Sequence, residues 1–419
     1  MRPVRHVRFG VIGVSALALF TVAAAQQPAQ LVIANVRVFT GERSIERATI
    51  TVADGKIVRI TADSPANTGV TIDGAGMTAL PGLIDAHIHV LAGTAGTTEA
   101  ETRAFMKDGL QERLQSFLRH GVTTVKSAGD PTELILKIRK DLRDGTLAGP
   151  RLLVVGPIFT APGGHPAVTI CAGSDWCRAN LTVEVDSEQE ARRHVRRLVE
   201  AGVDAIKLVH GGGIVRGIQL GRLRPEVMKA IVAEARSMGI LVTAHVLDES
   251  SLLEVLAAGV SGVEHGPFGP PTSNAVAQAF KNPERALVPT FTGMAAQGLP
   301  EALQQSKLQA IAELHKAGVR IVVGTDMGTD MVGSEAPGMA TIQEVETLVK
   351  AGLSPEAALK AATSVAARHL GLEKEIGMLE AGMSSDILLV RGDPLRNIAD
   401  LHQVDAVVQR GKVVFRREP

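Results

Sequence analysis

The sequence has no excess charge of either sign: lysine plus arginine and aspartate plus glutamate each total 44 in 419 residues. Such a balance makes no field that would draw nucleic acid or an anionic membrane surface, so a small-molecule partner is expected. Cysteine is nearly absent. The two that occur, Cys171 and Cys177, leave too few soft ligands in their loop for a thiolate metal site. Apolar runs of membrane-spanning length are also missing, since Phe9 to Val22 covers about 14 residues where about 20 are needed. No stable membrane insertion is therefore expected. Aromatic residues make up only 3% of the chain, while glycine occurs 43 times and hydrophobic residues reach 45%. That profile suits one large α/β domain with an accessory piece better than several small domains.

What is present begins with an export-type leader. Basic residues between Met1 and Arg8 precede the short apolar run, and Ala23-Ala24-Ala25 supplies small residues before Gln26. This is the layout of a signal peptide over residues 1–25, cleaved after Ala25, with an N-terminal anchor as the alternative. No cysteine lies near the cleavage point for lipoprotein processing. An exported protein, periplasmic or secreted, is expected. In an oxidising compartment Cys171 and Cys177, which share a loop with Trp176, are expected to close a short disulfide.

Strand-like segments follow at both ends. Leu31 to Thr40, Ala48 to Ile60 with a turn at Asp54-Gly55, and Val70 to Ile72 lie near the start. Asp386 to Val390, Ala406 to Gln409 and Lys412 to Phe415 lie near the end, the last two joined by Arg410-Gly411. Residues 26–79 and 376–419 are therefore expected to form one small β-sandwich. Between them, over 80–375, strands alternate with helices. The strand candidates are Leu80 to Val90, Gly121 to Ser127, Arg151 to Thr160, Asp204 to His210, Ile240 to Val246, Ser261 to His265, Ala286 to Thr292 and Arg320 to Thr325. Helical patterns such as Glu101 to Arg119 and Ser187 to Ala201 separate them, and glycines 121, 202, 259 and 318 fit helix ends. The fold class expected is α/β, a (β/α)8 TIM barrel with the small β domain attached.

In such a barrel the chemistry gathers at the carboxyl ends of the strands. His87 and His89, one residue apart in an apolar strand, point the same way with Cα atoms about 6.6 Å apart, a spacing that suits one shared ion. Taken alone, the pair reads equally as hydrogen-bonded core histidines. Lys207 in the fourth strand, His245 in the fifth, Glu264-His265-Gly266 ending the sixth and Asp326 after the last bring further ligand-type groups to the same rim.

The segments "PGLIDAHIHV", "GVTTVKSAGD", "GVDAIKLVHGGG", "VTAHV", "GVEHG", "VGTDMG" and "GMLEAGMSSDILLV", in this order, resemble the metal-dependent amidohydrolases, in particular the imidazolonepropionase-like and prolidase-like branch. The resemblance covers essentially the whole mature chain. It implies that His87 and His89 hold one divalent ion, His245 and His265 a second, and Lys207, carbamylated by carbon dioxide, bridges the two. Asp326 would bind the first ion and carry protons. Zinc is the expected metal, and a hydroxide shared by the ions would attack the scissile carbonyl. A lysine amine ordinarily titrates near about 10.4, but burial near cations exposes the neutral amine to carbon dioxide. The alternative is an unmodified Lys207 paired with Asp204, which would leave a mononuclear site.

His165, in Gly163-Gly164-His165-Pro166, and His210, beyond Lys207, are candidates for substrate contact. The roles of Lys126 and Ser127 stay open, and His120, His194, His315, His369 and His402 are expected at solvated positions. The leading expectation is hydrolysis of an amide bond in a peptide-like or N-acyl amino acid substrate with a free carboxylate. Opening of a cyclic amide, ester or lactone is the alternative, with a metal-bearing binding protein behind it. A homo-oligomer is expected.

Overall fold

The computed structural model describes residues 31–62, 72–93, 98–215, 217–271, 274–329 and 337–418. The leader expected over 1–25 lies outside them. No helix among the described residues is long and apolar enough to cross a membrane.

The two chain ends meet in one eight-stranded sheet. Met77–Pro81 joins them: it runs parallel to Leu31–Phe39 through Arg37 and Thr78, and antiparallel to Ile387–Arg391, with Ala79 opposite Leu389. Strand alternation then gives the sheet two apolar faces. Ile387 and Leu389 turn to a cluster with Ile33, Val36, Val38, Ile50 and Val408. Leu388 and Val390 turn to the large barrel core together with Leu80 and Val407. Where a sandwich was expected, a single hydrogen-bonded sheet covers its own cluster on one face and docks the barrel with the other. Its hairpins at Asp54-Gly55 and Arg410-Gly411 have both central residues at positive φ, the geometry that follows strand twist.

The apolar run Leu80 to Val90 is two elements. Met77–Pro81 belongs to the terminal sheet and Leu83–Ile88 opens the barrel. Gly82 makes the transition where a Cβ would lie 2.2 Å from Thr123 Oγ1, so no larger residue fits there. Leu83–Ile88, Val122–Ser127 and Arg151–Val154 form a parallel three-stranded sheet. Ile158–Thr160, Ala205–Val209, Leu241–Val246, Gly262–His265 and Ala286–Val288, edged by Thr182–Glu184, form a six-stranded one. The expected strand Arg151 to Thr160 is thus broken, at Gly156 with φ of 79°.

The segment Arg320 to Thr325, expected as the eighth strand, forms no regular ladder. Ile321 bridges Leu287 and Met327 bridges Ile88, and the N–H groups of Val322 and Ala86 donate to Leu287 and Val323 at 2.9 Å. Close approach explains the irregularity: a Cβ on Gly324 would lie 2.4 Å from Val288 Cγ1 and 2.9 Å from His87 Cβ. The architecture is therefore of TIM-barrel type, with the strand ring held in places by single hydrogen bonds. The helix expected over Glu101 to Arg119 is likewise two, Glu99–Asp108 and Leu110–Arg119, parted at Gly109.

Candidate active site

His87, Lys207, Glu264 and His265 are buried at the carboxyl ends of their strands, and Asp326 reaches them from the irregular closing segment. Asp326 has φ of 61°, and its N–H donates to the His87 carbonyl at 2.7 Å, which turns the carboxylate inward. Asp326 Oδ1 lies 3.0 Å from His87 Nε2 and 3.2 Å from His89 Nε2, so both histidines of the pair reach one oxygen. His265 Nδ1 is 3.8 Å from Asp326 Oδ2. The rings of His245 and His265 have centroids 4.3 Å apart, and His165 stands 4.9 Å from His245.

The other nitrogen of each ring shows what the site is built to hold. His89 Nδ1 is 3.0 Å from the Gly129 carbonyl, which only accepts, so that nitrogen carries the proton. A neutral His89 would then aim a lone pair from Nε2 at the Asp326 carboxylate. Such a contact needs a cation between the two, a proton or a metal ion. His87 Nδ1 lies 3.3 Å from Glu264 Oε2 without a hydrogen bond between them, while its Nε2 faces Asp326 and Lys207. His265 Nδ1 meets Thr290 Oγ1 at 2.8 Å while its Nε2 is buried without a hydrogen-bond partner. Rings oriented through one nitrogen with the other left bare fit divalent-metal ligation. The ligand atoms of His87, His89 and Asp326 lie within 4.8 Å of one another, as do those of His87, Glu264 and His265.

Electrostatics point the same way. Burial pushes the Asp326 carboxyl up, but the facing His265 and His87 and hydrogen bonds from His87 and His89 hold it well below the usual range. Burial likewise opposes ionisation of Glu264 and is outweighed by His87, Lys126 and Lys207. Burial drives His245 and His265 well below the ordinary imidazole value, helped for His245 by His165 and Lys207. For His89 burial is overcome by the hydrogen bond and charge of Asp326, and its pKa rises. His165 is pushed down to about 4 by burial and by Lys207, so it is neutral at pH 7.

Several residues take places the sequence did not assign. Lys207 does not pair with Asp204, which Arg139 holds; its Nζ sits 3.0 Å from Glu264 Oε2 and 3.2 Å from His87 Nε2. Lys126, left open, is fully buried with Nζ 2.8 Å from Glu264 Oε1. Ser127 donates to Asp130, whose carboxylate also accepts the N–H groups of Val90, Leu91 and Ala92 at 2.8 to 2.9 Å. That cradle fixes the chain just beyond His89. Asp85 does the same behind it, accepting from Thr325 Oγ1 at 2.8 Å and Thr341 Oγ1 at 2.9 Å. Two expectations fail. His210 does not line the cavity: its Nε2 is 2.8 Å from Glu254 and 3.0 Å from Arg222. His369, expected in solvent, is buried, and burial pushes it down to about 3.

A cavity of about 310 Å³ opens onto His89, His165, Lys207, His245, His265 and Asp326. Its walls are mostly apolar, with Ile158, Ile170, Leu181, Val209, Leu220 and Met294. Cys171, joined to Cys177 by a disulfide, forms part of the wall.

A model of the amidohydrolase family matches residues 78–414. The chain belongs to that family. It is accordingly a hydrolase of amide bonds, in a family that generally binds divalent metals. Over 383 residues it is 27% identical to ochratoxinase from Aspergillus niger, covering 80% of this chain and 75% of that protein. It is 28% identical over 385 residues to imidazolonepropionase from Mesorhizobium japonicum, covering 82% and 86%. The crystal structure of a Xaa-Pro dipeptidase with bound methionine in its active site superposes with a TM-score of 0.79 at 23% identity, covering 93% of this chain and all of that one, which speaks for the fold.

Proposed function

We propose that this amidohydrolase cleaves the amide bond of a peptide-like or N-acyl amino acid substrate at a metal-dependent site on the barrel rim. The observation that carries the reading is the convergence of His87 and His89 Nε2 on one oxygen of Asp326, with His89 Nδ1 committed to the Gly129 carbonyl. In this reading His87, His89 and Asp326 would hold one ion and His245 and His265 a second, with Lys207, as a carbamate, as a ligand they would share. Two divalent ions, zinc by the preference of imidazole and carboxylate ligands, would supply a Lewis acid for the scissile carbonyl and acidify the attacking water.

The chain's own groups do the rest. The Asp326 carboxylate, kept ionised by its histidine neighbours, takes the proton of the attacking water and passes it to the leaving nitrogen. His165, neutral and on the cavity wall, hydrogen-bonds the substrate's acyl group. The apolar walls bind the acyl chain and keep bulk water from the reacting bond. Ochratoxinase among the relatives supports an amide substrate of this kind. We read the protein as exported, and the Cys171–Cys177 disulfide fits an oxidising compartment.

A second reading has one observation in its favour. Lys207 Nζ lies 3.0 Å from Glu264 Oε2, and an ammonium kept there by the carboxylate would leave a mononuclear site suited to hydrolysis of a cyclic amide, ester or lactone. Steady-state assay of zinc-loaded protein on a panel of dipeptides, N-acyl amino acids and cyclic amides separates the two. Turnover confined to the ring substrates would overturn the first reading.

A further inference from the structure

The interior of a barrel of this type is ordinarily filled by layers of branched apolar side chains. Here one level is charged. Lys126 from Val122–Ser127 pairs with Glu264 from Gly262–His265, and neither has any exposed surface. The Glu264 carboxylate is forked. Oε1 takes the Lys126 ammonium at 2.8 Å, while Oε2 faces both Lys207 Nζ at 3.0 Å and His87 Nδ1 at 3.3 Å. One carboxylate therefore touches two groups of the candidate metal site, and a second buried charge pins that carboxylate from behind.

Stability does not account for this arrangement. Exchange of a buried ion pair for apolar residues of similar volume is often neutral or stabilising, because the desolvation of both charges is relieved. Geometry does account for it. The carboxylate stands 3.3 Å from His87 Nδ1, so its charge favours the tautomer with the ring proton on that side and leaves Nε2 to face Asp326. The same oxygen keeps Lys207 Nζ 3.2 Å from His87 Nε2, among the groups that would hold the ions.

We propose that Glu264, anchored by Lys126, is a positioning residue that presents His87 and Lys207 to the metal ions. The inference rests on the reading of the rim as a metal site. Outer carboxylates that orient ligating histidines typically contribute 10- to 100-fold in metal affinity. Glu264→Gln keeps the size and loses the charge and one acceptor, and Lys126→Met frees the carboxylate from its anchor. The double variant Lys126→Met/Glu264→Leu fills the level with apolar atoms and removes both charges together. Lys126→Arg keeps the anchor and should restore near-native behaviour.

The test is a zinc titration of metal-free protein against a competing chelator, with the melting temperature of each metal-free variant measured alongside. Glu264→Gln and the double variant are expected to bind zinc about 10- to 100-fold more weakly and Lys126→Arg to bind it as wild type does, with the loss of affinity not tracking the change in melting temperature across the set. A purely structural role would move melting temperature and affinity together, and that outcome overturns the proposal. Zinc affinity in the double variant within about threefold of wild type also overturns it, whatever Glu264→Gln does to folding. A wild-type chain that takes up no zinc defeats both this inference and the metal-site reading, whereas normal wild-type uptake with unaltered variants defeats this inference alone.

Discussion

In the sheet built from the two chain ends, Ile33, Val36, Ile50, Leu389 and Val408 are fully buried against one another. At the barrel rim the side chains buried as deeply are His87, Lys126, Glu264 and, nearly so, Lys207 and His265. Equal burial has opposite meanings in the two places. Each apolar group of the sheet contributes transfer free energy of about 1.5–3 kcal/mol and depends little on its neighbours' identity. Each charge at the rim has lost its hydration and is tolerable only while its partners stay, so groups there act as a set. The sheet docks the barrel core through Leu80, Leu388, Val390 and Val407, and the rim holds unfavourable charges in register.

Variants can break this division. The largest effect is expected at Asp326. Asp326→Asn keeps the size but cannot accept a proton, so turnover should fall by about 10²- to 10⁴-fold with little change in melting temperature. Turnover within a few-fold of wild type, with metal bound, would remove Asp326 as the proton carrier. The sheet should behave in reverse. Ile50→Ala opens a cavity among fully buried neighbours and should cost about 2–5 kcal/mol in urea unfolding, with kcat/KM per folded molecule unchanged.

A buried carboxyl in the barrel wall sharpens the contrast. Glu344 accepts from the N–H groups of Phe291 and Thr292 and from Thr292 Oγ1, and burial pushes its pKa up to about 7. Its folded value lies above its unfolded one, so the stability it contributes is fully present below about pH 4.5 and is lost as pH rises through about 7. Glu344→Gln should abolish that part of the pH dependence, on the order of 3 kcal/mol between pH 4.5 and 7.5. The apolar sheet offers no counterpart, and an Ile50→Ala penalty that changed across the same range would contradict the separation.

Most of the groups gathered at the rim were legible because strand periodicity and the barrel rule together bring His87, His89, Lys207, His245, His265 and Asp326 to one end of the barrel. Glu264 was visible beside His265 and Lys126 at the end of the second strand, but both were unassigned, since pairing across the barrel interior, 138 residues apart in sequence, leaves no local pattern. His210 misled because Lys207 and Val209 face the cavity, and the strand's alternation turns the next side chain to the other side. His369 sits on a short helix whose burial depends on what packs under the barrel. The closing segment was read as a strand from Ile321, Val322 and Val323, yet Gly324 and the positive φ of Asp326 bend it inward. The irregularity that defeats a strand assignment is the feature that delivers the carboxylate.

That the rim is a divalent-metal site for amide hydrolysis is tested most directly by stripping the protein with a chelator, restoring zinc in steps, and following amide turnover against ions bound per chain. Turnover is expected to vanish in the stripped protein and to return in proportion to zinc, reaching its full value as occupancy approaches about two ions. Full turnover in metal-free protein, or no zinc uptake by a folded chain, would contradict it.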